Sequence, residues 1–273
     1  DVIFVSESGL ETPEDIQVLR DNNIGVALMG ETFMRSPNKV EKLAYLYGST
    51  YYTPKVKMCG ISKVETIPAV VEAKPNYMGL VFAPSKRQVT VDQAKTLVEE
   101  LHKGCAKKYG LDTEPDKNDT IKTVGVFVNE TVDNLVTIAN EANLDAVQLH
   151  GDEDETFIQS LKERTNVEVW KAVQIRSAAD VEEWIDSSAD MILFDAYHKD
   201  ERGGTGEVFD WSSLDEFERP FMLAGGIDST NVARAIRTVR PYGIDTSSGI
   251  ETNGVKDDEK ITAFTKIVKS IGR

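Results

Sequence analysis

The stretch KVKMCGI, residues 55–61, decides how the rest of the chain is read. Val56–Ile61 is short, mostly apolar and closed by a glycine, as a strand buried on both faces should be. Seven further runs of the same kind follow: Tyr77–Phe82, Thr123–Val128, Ala146–Leu149, Glu168–Val173, Met191–Asp195, Phe221–Ala224 and Gly243–Thr246. The segments between them carry helical periodicity. Val132, Leu135, Val136 and Ala139 fall on one stripe, and Ile261, Phe264, Val268 and Ile271 on another. Eight βα units in succession predict an α/β fold, a TIM (β/α)8 barrel. A doubly wound open sheet is the competitor, but no G-x-G-x-x-G follows the first strand.

Residues 1–36 exceed the count. Val2–Ser6 and Gly25–Met29 read as strands around a helix, Pro13–Asp21, introduced by Thr12-Pro13-Glu14-Asp15. An eight-stranded barrel has no room for them, so they belong to a second unit. Without a barrel of their own, their strands would keep unpaired edges and an exposed apolar face. Two outcomes are expected for them: disorder, or packing on another surface. A helix over Asn38–Tyr47 and a Tyr-rich stretch then lead to the barrel. Residues 104–120 are polar and charged and read as a solvated insertion.

A chain of 273 residues with 40% apolar and 28% charged side chains is globular by composition. The net charge of −15 disfavours nucleic acid and anionic membranes as partners. No apolar run is long enough to span a bilayer. Cys59 and Cys105 form neither a metal pattern nor a disulfide framework, which points to a reducing, cytoplasmic setting. Two glycosylation sequons, at Asn118 and Asn129, read as chance without a secretory signal. A start at Asp1 suggests a piece of a longer chain, or a processed one.

Active sites of such barrels lie at the C-terminal ends of the strands. Lys57 and Cys59 alternate onto one side of the first strand. An ammonium there would lower the thiol pKa, and the thiolate could act as base or nucleophile; a buried structural Cys is the alternative. Arg87 could bind a carboxylate or phosphate, or be a solvated loop residue. Gln148 and His150 share a face of the fourth strand, and His150 could equally be a hydrogen-bonded structural histidine. Asp195 closes an apolar strand, where a partly desolvated carboxyl can serve as general acid, or form a turn. Gly225-Gly226 and Ser247-Ser248-Gly249, after Asp245, stand where these barrels cradle phosphate, unless they only make turns. Gly203-Gly204-Thr205-Gly206 lacks the ending of a nucleotide P-loop and reads as a lid.

Taken in order, these motifs closely resemble the phosphoribosylanthranilate isomerase family of tryptophan biosynthesis: Lys57-Met58-Cys59-Gly60-Ile61, Ser85-x-Arg87, Gln148-Leu149-His150-Gly151, Asp195, Gly203-Gly204-Thr205-Gly206 with Phe209-Asp210-Trp211, Leu223-Ala224-Gly225-Gly226 and Ser247-Ser248-Gly249-Ile250-Glu251. The resemblance covers residues 55–273. It implies an Amadori rearrangement, an intramolecular aldose–ketose isomerisation of N-(5-phosphoribosyl)anthranilate that needs no cofactor or metal. It implies Cys59 as general base, Asp195 as general acid and Arg87 on the anthranilate part. Lys57, Gln148, His150, Gly204, Gly225, Gly226, Asp245, Ser247, Ser248 and Gly249 would line the substrate. Met58 and Thr246 depart from the aliphatic residues common in the family.

Residues 1–48 resemble the last two βα units of indole-3-glycerol-phosphate synthase, through Val5-Ser6-Glu7-Ser8-Gly9-Leu10 and Gly30-Glu31-Thr32-Phe33-Met34-Arg35. That likeness implies a linker at 49–54 and a vestigial site at Glu7, Ser8, Gly30 and Glu31. It implies no synthase activity from this chain alone. It also raises the possibility of a bifunctional parent with the synthase as a partner in cis. A phosphate-binding barrel without catalysis is the third alternative.

Overall fold

The computed structural model describes residues 5–7, 9–22, 24, 26–35, 39, 42–43, 46, 53–109, 121–175, 177–195, 214, 217 and 219–271. Contacts divide the chain into two units, residues 54–269 and residues 1–53 with 270–273.

The larger unit is a closed barrel of eight parallel strands. They are β3 (Lys55–Cys59), β4 (Tyr77–Val81), β5 (Lys122–Phe127), β6 (Ala146–Leu149), β7 (Glu168–Gln174), β8 (Met191–Asp195), β9 (Phe221–Ala224) and β10 (Gly243–Thr246). The strands follow chain order round the barrel, and β10 closes on β3. Every expected strand is present to within a residue or two at its ends.

Helices α3 (Ile67–Ala73), α4 (Val91–Tyr109), α5 (Val132–Glu141), α6 (Glu155–Lys162), α7 (Ala178–Glu182), α8 (Val232–Val239) and α9 (Asp258–Ile271) alternate with the strands. Their boundaries are set by local chemistry. Thr131 and Asp154 accept the Asn134 and Phe157 amides at 3.3 and 2.8 Å, satisfying otherwise orphaned donors. Ser177 and Asp180 form a capping box at α7. Leu135 and Ala139 on α5, and Ile261, Phe264 and Val268 on α9, are buried. The barrel interior is filled by Tyr77, Val124, Ala146, Trp170, Leu193 and Met222, among others. Tyr77 meets the Trp170 ring edge-on at 4.9 Å.

The expected insertion at 104–120 needs correction at its start. Helix α4 runs on to Tyr109 and buries Cys105. Ala94, Leu97, Val98, Leu101 and Cys105 continue one apolar stripe, which holds the helix past the point where the sequence turns polar. The rest, 110–120, lies outside the described residues, as do 196–213.

The smaller unit holds β1 (Val5–Glu7), α1 (Pro13–Asp21), β2 (Val26–Leu28) and α2 (Gly30–Met34). Thr12 and Asp15 cap α1 reciprocally: the Thr12 amide donates to Asp15 Oδ2 at 2.9 Å and the Asp15 amide to Thr12 Oγ1 at 3.3 Å. β1 and β2 pair in parallel, Val5 with Val26 and Glu7 with Leu28. Leu10, Ile16 and Leu46 form a small core beneath them. Val26 and Leu28 are exposed, as expected of this unit's apolar strands. Most of the helix expected over Asn38–Tyr47, and of the linker at 49–54, lies outside the described residues.

Candidate active site

Cys59 ends β3 at the barrel mouth, buried and on the same side as Lys57. The Lys57 ammonium is fully buried and donates to Asp245 Oδ2 at 2.9 Å, from the register-paired strand β10. Burial alone would depress Lys57, but the Asp245 and Cys59 charges and the hydrogen bonds to both together outweigh it and hold the ammonium above its ordinary range. The expected lowering of the Cys59 thiol is corrected. Burial pushes it up, and the lowering influence of Lys57 and Lys256 does not overcome that, with Asp245 adding to the rise.

Room for Cys59 comes from the next strand. A Cβ at Gly79 would stand 3.0 Å from both Cys59 Cα and Sγ. The chain then turns at Gly60, with φ +78°, under the Arg87 side chain: a Cβ there would lie 2.4 Å from Arg87 Cδ. Arg87 is gripped by Glu251, Nε to Oε1 at 2.6 Å and Nη2 to Oε2 at 2.9 Å. Lys256 donates to the same carboxylate at 2.9 Å and to the Ser247 carbonyl at 2.8 Å. These cations hold Glu251 down at about 2 against the opposing effect of burial. The Ser247 hydroxyl donates to the Cys59 carbonyl at 3.1 Å.

Asp195 ends β8, half-buried, with Oδ2 3.6 Å from His150 Nε2. His150 Nδ1 lies 3.5 Å from Gln148 Nε2. The loop carrying His150 is braced from below by a buried pair, Lys171 Nζ to Glu153 Oε2 at 3.0 Å. Lys171 also donates to the Gly151 carbonyl at 2.6 Å, and Glu153 accepts the Asn129 and Gly151 amides. Gln148 Oε1 and Asp245 Oδ1 are buried acceptors with no partner among the described residues. In a native site such atoms call for an explanation, and a ligand donor supplies one.

The loops after β9 and β10 are zipped together. Asp228 bridges Gly249, and Thr246 Oγ1 donates to the Ile227 carbonyl at 2.7 Å. A Cβ at Gly249 would meet that carbonyl at 2.2 Å, so only glycine fits. Gly225 and Gly226 take φ +97° and +63°, a region of backbone space that favours glycine.

The model of the N-(5'phosphoribosyl)anthranilate (PRA) isomerase family matches residues 56–267. The chain belongs to this family. The PRA isomerase of Endomicrobium trichonymphae is 43% identical over 222 residues, 80% of this chain and 100% of that one. The crystal structure of phosphoribosyl anthranilate isomerase from Thermotoga maritima superposes with a TM-score of 0.66 at 34% identity, over 80% of this chain and 99% of that one. A PRA isomerase in complex with reduced 1-(o-carboxyphenylamino)-1-deoxyribulose 5-phosphate gives 0.62 at 32%, with the same coverage.

In this member of the PRA isomerase family, the barrel gathers Lys57, Cys59, Arg87, Gln148, His150, Asp195, Gly225, Gly226, Asp245, Ser247, Ser248 and Gly249 at the C-terminal ends of its strands and in the loops that follow them. Gly204 and Ser8 lie outside the described residues. In the smaller unit, Glu7 ends β1, while Gly30 and Glu31 open α2, where Glu31 pairs with Arg35 at 2.5 Å in full solvent view. Sequence reasoning gave no role to Glu251, Lys256, Gly79, Lys171 or Glu153. Lys171 had a signal: a lone cation inside the apolar run Val169-Trp170-Lys171-Ala172-Val173. Glu251 carries no such signal, since one more carboxylate after Ser247-Ser248-Gly249-Ile250 says nothing of its partner.

Proposed function

We propose that this PRA isomerase converts N-(5'-phosphoribosyl)anthranilate to 1-(2-carboxyphenylamino)-1-deoxyribulose 5-phosphate with Cys59 as base and Asp195 as acid. The observation that carries the reading is the placing of a thiol and a carboxyl at the ends of β3 and β8, on one rim with two glycine loops and an arginine. Asp195 gives a proton to the ring oxygen as the C1–O bond breaks, leaving an iminium between C1 and the anthranilate nitrogen. The Cys59 thiolate removes the C2 proton, and the C–H electrons move into the C1–C2 bond while the iminium electrons return to nitrogen. The enolamine then takes a proton at C1 and loses one from its C2 hydroxyl, giving the ketone. No net electron is gained or lost. Arg87 holds the anthranilate carboxylate, Gly225, Gly226, Ser248 and Gly249 the phosphate, and Gln148 and Asp245 offer acceptors to substrate hydroxyl or amine groups.

Anthranilate fluorescence on the purified chain tests this directly. Cys59→Ala and Asp195→Asn should each cut kcat on the order of 10²–10⁴-fold with the circular dichroism spectrum unchanged. Near wild-type turnover in Cys59→Ala would remove the thiol from the mechanism. Product-analogue binding without turnover in the wild-type chain would favour a non-catalytic phosphate-binding barrel. Because burial raises the thiol, kcat/KM should climb with pH past the ordinary thiol range, as the thiolate fraction grows.

The β1–α1–β2–α2 unit supports a second reading: residues 1–48 are the end of an indole-3-glycerol-phosphate synthase barrel, joined in a parent chain to this isomerase. Sequencing upstream of Asp1 tests it. An in-frame run of six further βα units is the expected result, and a stop codon just upstream rules it out. A cytoplasmic location fits two free cysteines and the finding that, among the described residues, no helix is long and apolar enough to cross a membrane.

A further inference from the structure

Glu251 and Lys256 are cross-strand partners in a tiny hairpin, β11 (Glu251–Thr252) and β12 (Val255–Lys256), that follows β10. Its turn is made by Asn253 and Gly254, with φ +52° and +78°. Both side chains are almost fully buried, at 5% and 6% exposure, and Lys260 ties the Glu251 carbonyl at 2.7 Å. Glu251 therefore has little freedom, and both its oxygens are committed to Arg87.

A guanidinium has two edges that can each take a carboxylate in bidentate fashion. Glu251 occupies the Nε/Nη2 edge. Among the described residues, Nη1 makes no hydrogen bond. The cluster also holds two cations, Arg87 and Lys256, against one buried anion, with half-exposed Lys86 adding a third cation at 3.4 Å. That is a local excess of positive charge in a chain whose net charge is −15.

We propose that Glu251 is a positioning residue: it fixes Arg87 by one edge so that the Nη1/Nη2 edge is pre-aimed at the substrate's aromatic carboxylate. This rests on Arg87 being the carboxylate-binding residue. Glu251 touches no substrate itself; it removes the rotamer freedom that Arg87 would otherwise lose on binding.

Steady-state kinetics with two substrates separates the possibilities. One is the natural carboxylated substrate; the other is N-(5-phosphoribosyl)aniline, which lacks only the carboxylate. Glu251→Gln should raise KM for the natural substrate about tenfold, with kcat little changed, and leave KM for the aniline compound as in wild type. Glu251→Asp, which keeps the charge but draws it back by one methylene, should fall between, and it carries the test if Glu251→Gln does not fold. Equal loss on both substrates would mean that Glu251 is only a staple between two loops and would overturn the proposal. So would an unchanged KM on both. Arg87→Ala serves as the control. If it fails to abolish the preference for the carboxylated substrate, the assignment of Arg87 is wrong; if it succeeds where both Glu251 variants keep that preference, only the positioning role falls.

Discussion

The strand–helix–strand unit is written in two places near the start of this chain, and the two copies differ in what surrounds them. In β1–α1–β2 the second strand exposes 44% of Val26 and 59% of Leu28. In β3–α3–β4 the second strand buries Met78 and Leu80 completely. Both copies use apolar strands with polar ends, a capped or proline-started helix and a glycine after the first strand. The difference is closure. β4 has a neighbour on each edge and helices over its outer face; among the described residues, β2 has β1 alone. Parallel pairing is local, but burial is a property of the finished ring.

Core truncation is the sharpest way to break the comparison. Met78→Ala should destabilise the chain by about 2–5 kcal/mol, since a fully buried thioether leaves a cavity. Leu28→Ala, in the exposed strand, should change unfolding by less than about 0.5 kcal/mol. Urea melts of the two variants check this, and equal losses would mean that β2 is buried in solution.

The same contrast applies to charge. Glu251 and Glu31 each pair with an arginine, but Glu251 is 5% exposed and Glu31 67%. Glu251 is held at about 2 in the folded chain, from an ordinary 4.5. A depressed carboxylate stabilises above its unfolded pKa, and that contribution is lost as pH falls through its folded value. Wild type should therefore exceed Glu251→Gln by up to about 3 kcal/mol near neutral pH. The gap should narrow between pH 4.5 and about 2. Glu31→Gln should change stability by less than about 1 kcal/mol, because an exposed pair contributes little. Stability measured against pH for the three proteins decides it.

Removal of residues 1–53 should have the smallest effect, with kcat and KM of the isomerase within about twofold of the intact chain. The Endomicrobium relative already matches over its full length without them, since its 222 aligned residues are all of it. A large loss of activity in the shortened chain would tie the smaller unit to the isomerase site.

Much of this molecule was legible in its residues. The eight apolar runs with helical stripes between them determined the barrel, because a strand buried on both faces and a helix buried on one leave different periodicities. Cys59, Asp195, Arg87 and the two glycine loops could be named because the fold class says where strand ends gather. What the sequence could not supply was pairing between residues far apart in the chain. Lys57 meets Asp245 across 188 positions, and Arg87 meets Glu251 across 164. Those contacts exist only because β10 closes against β3 and the loop after β4 reaches the hairpin beyond it. Closure also overrode one expectation read from neighbours alone: Lys57, two residues from Cys59, does pull the thiol down, but burial in the finished ring pushes it up by more, and Asp245 adds to the rise. Sequence determined which groups are present and which end of the barrel they occupy. Tertiary structure decided which charges cancel, since in a buried site that depends on distances of a few ångströms that only closure sets.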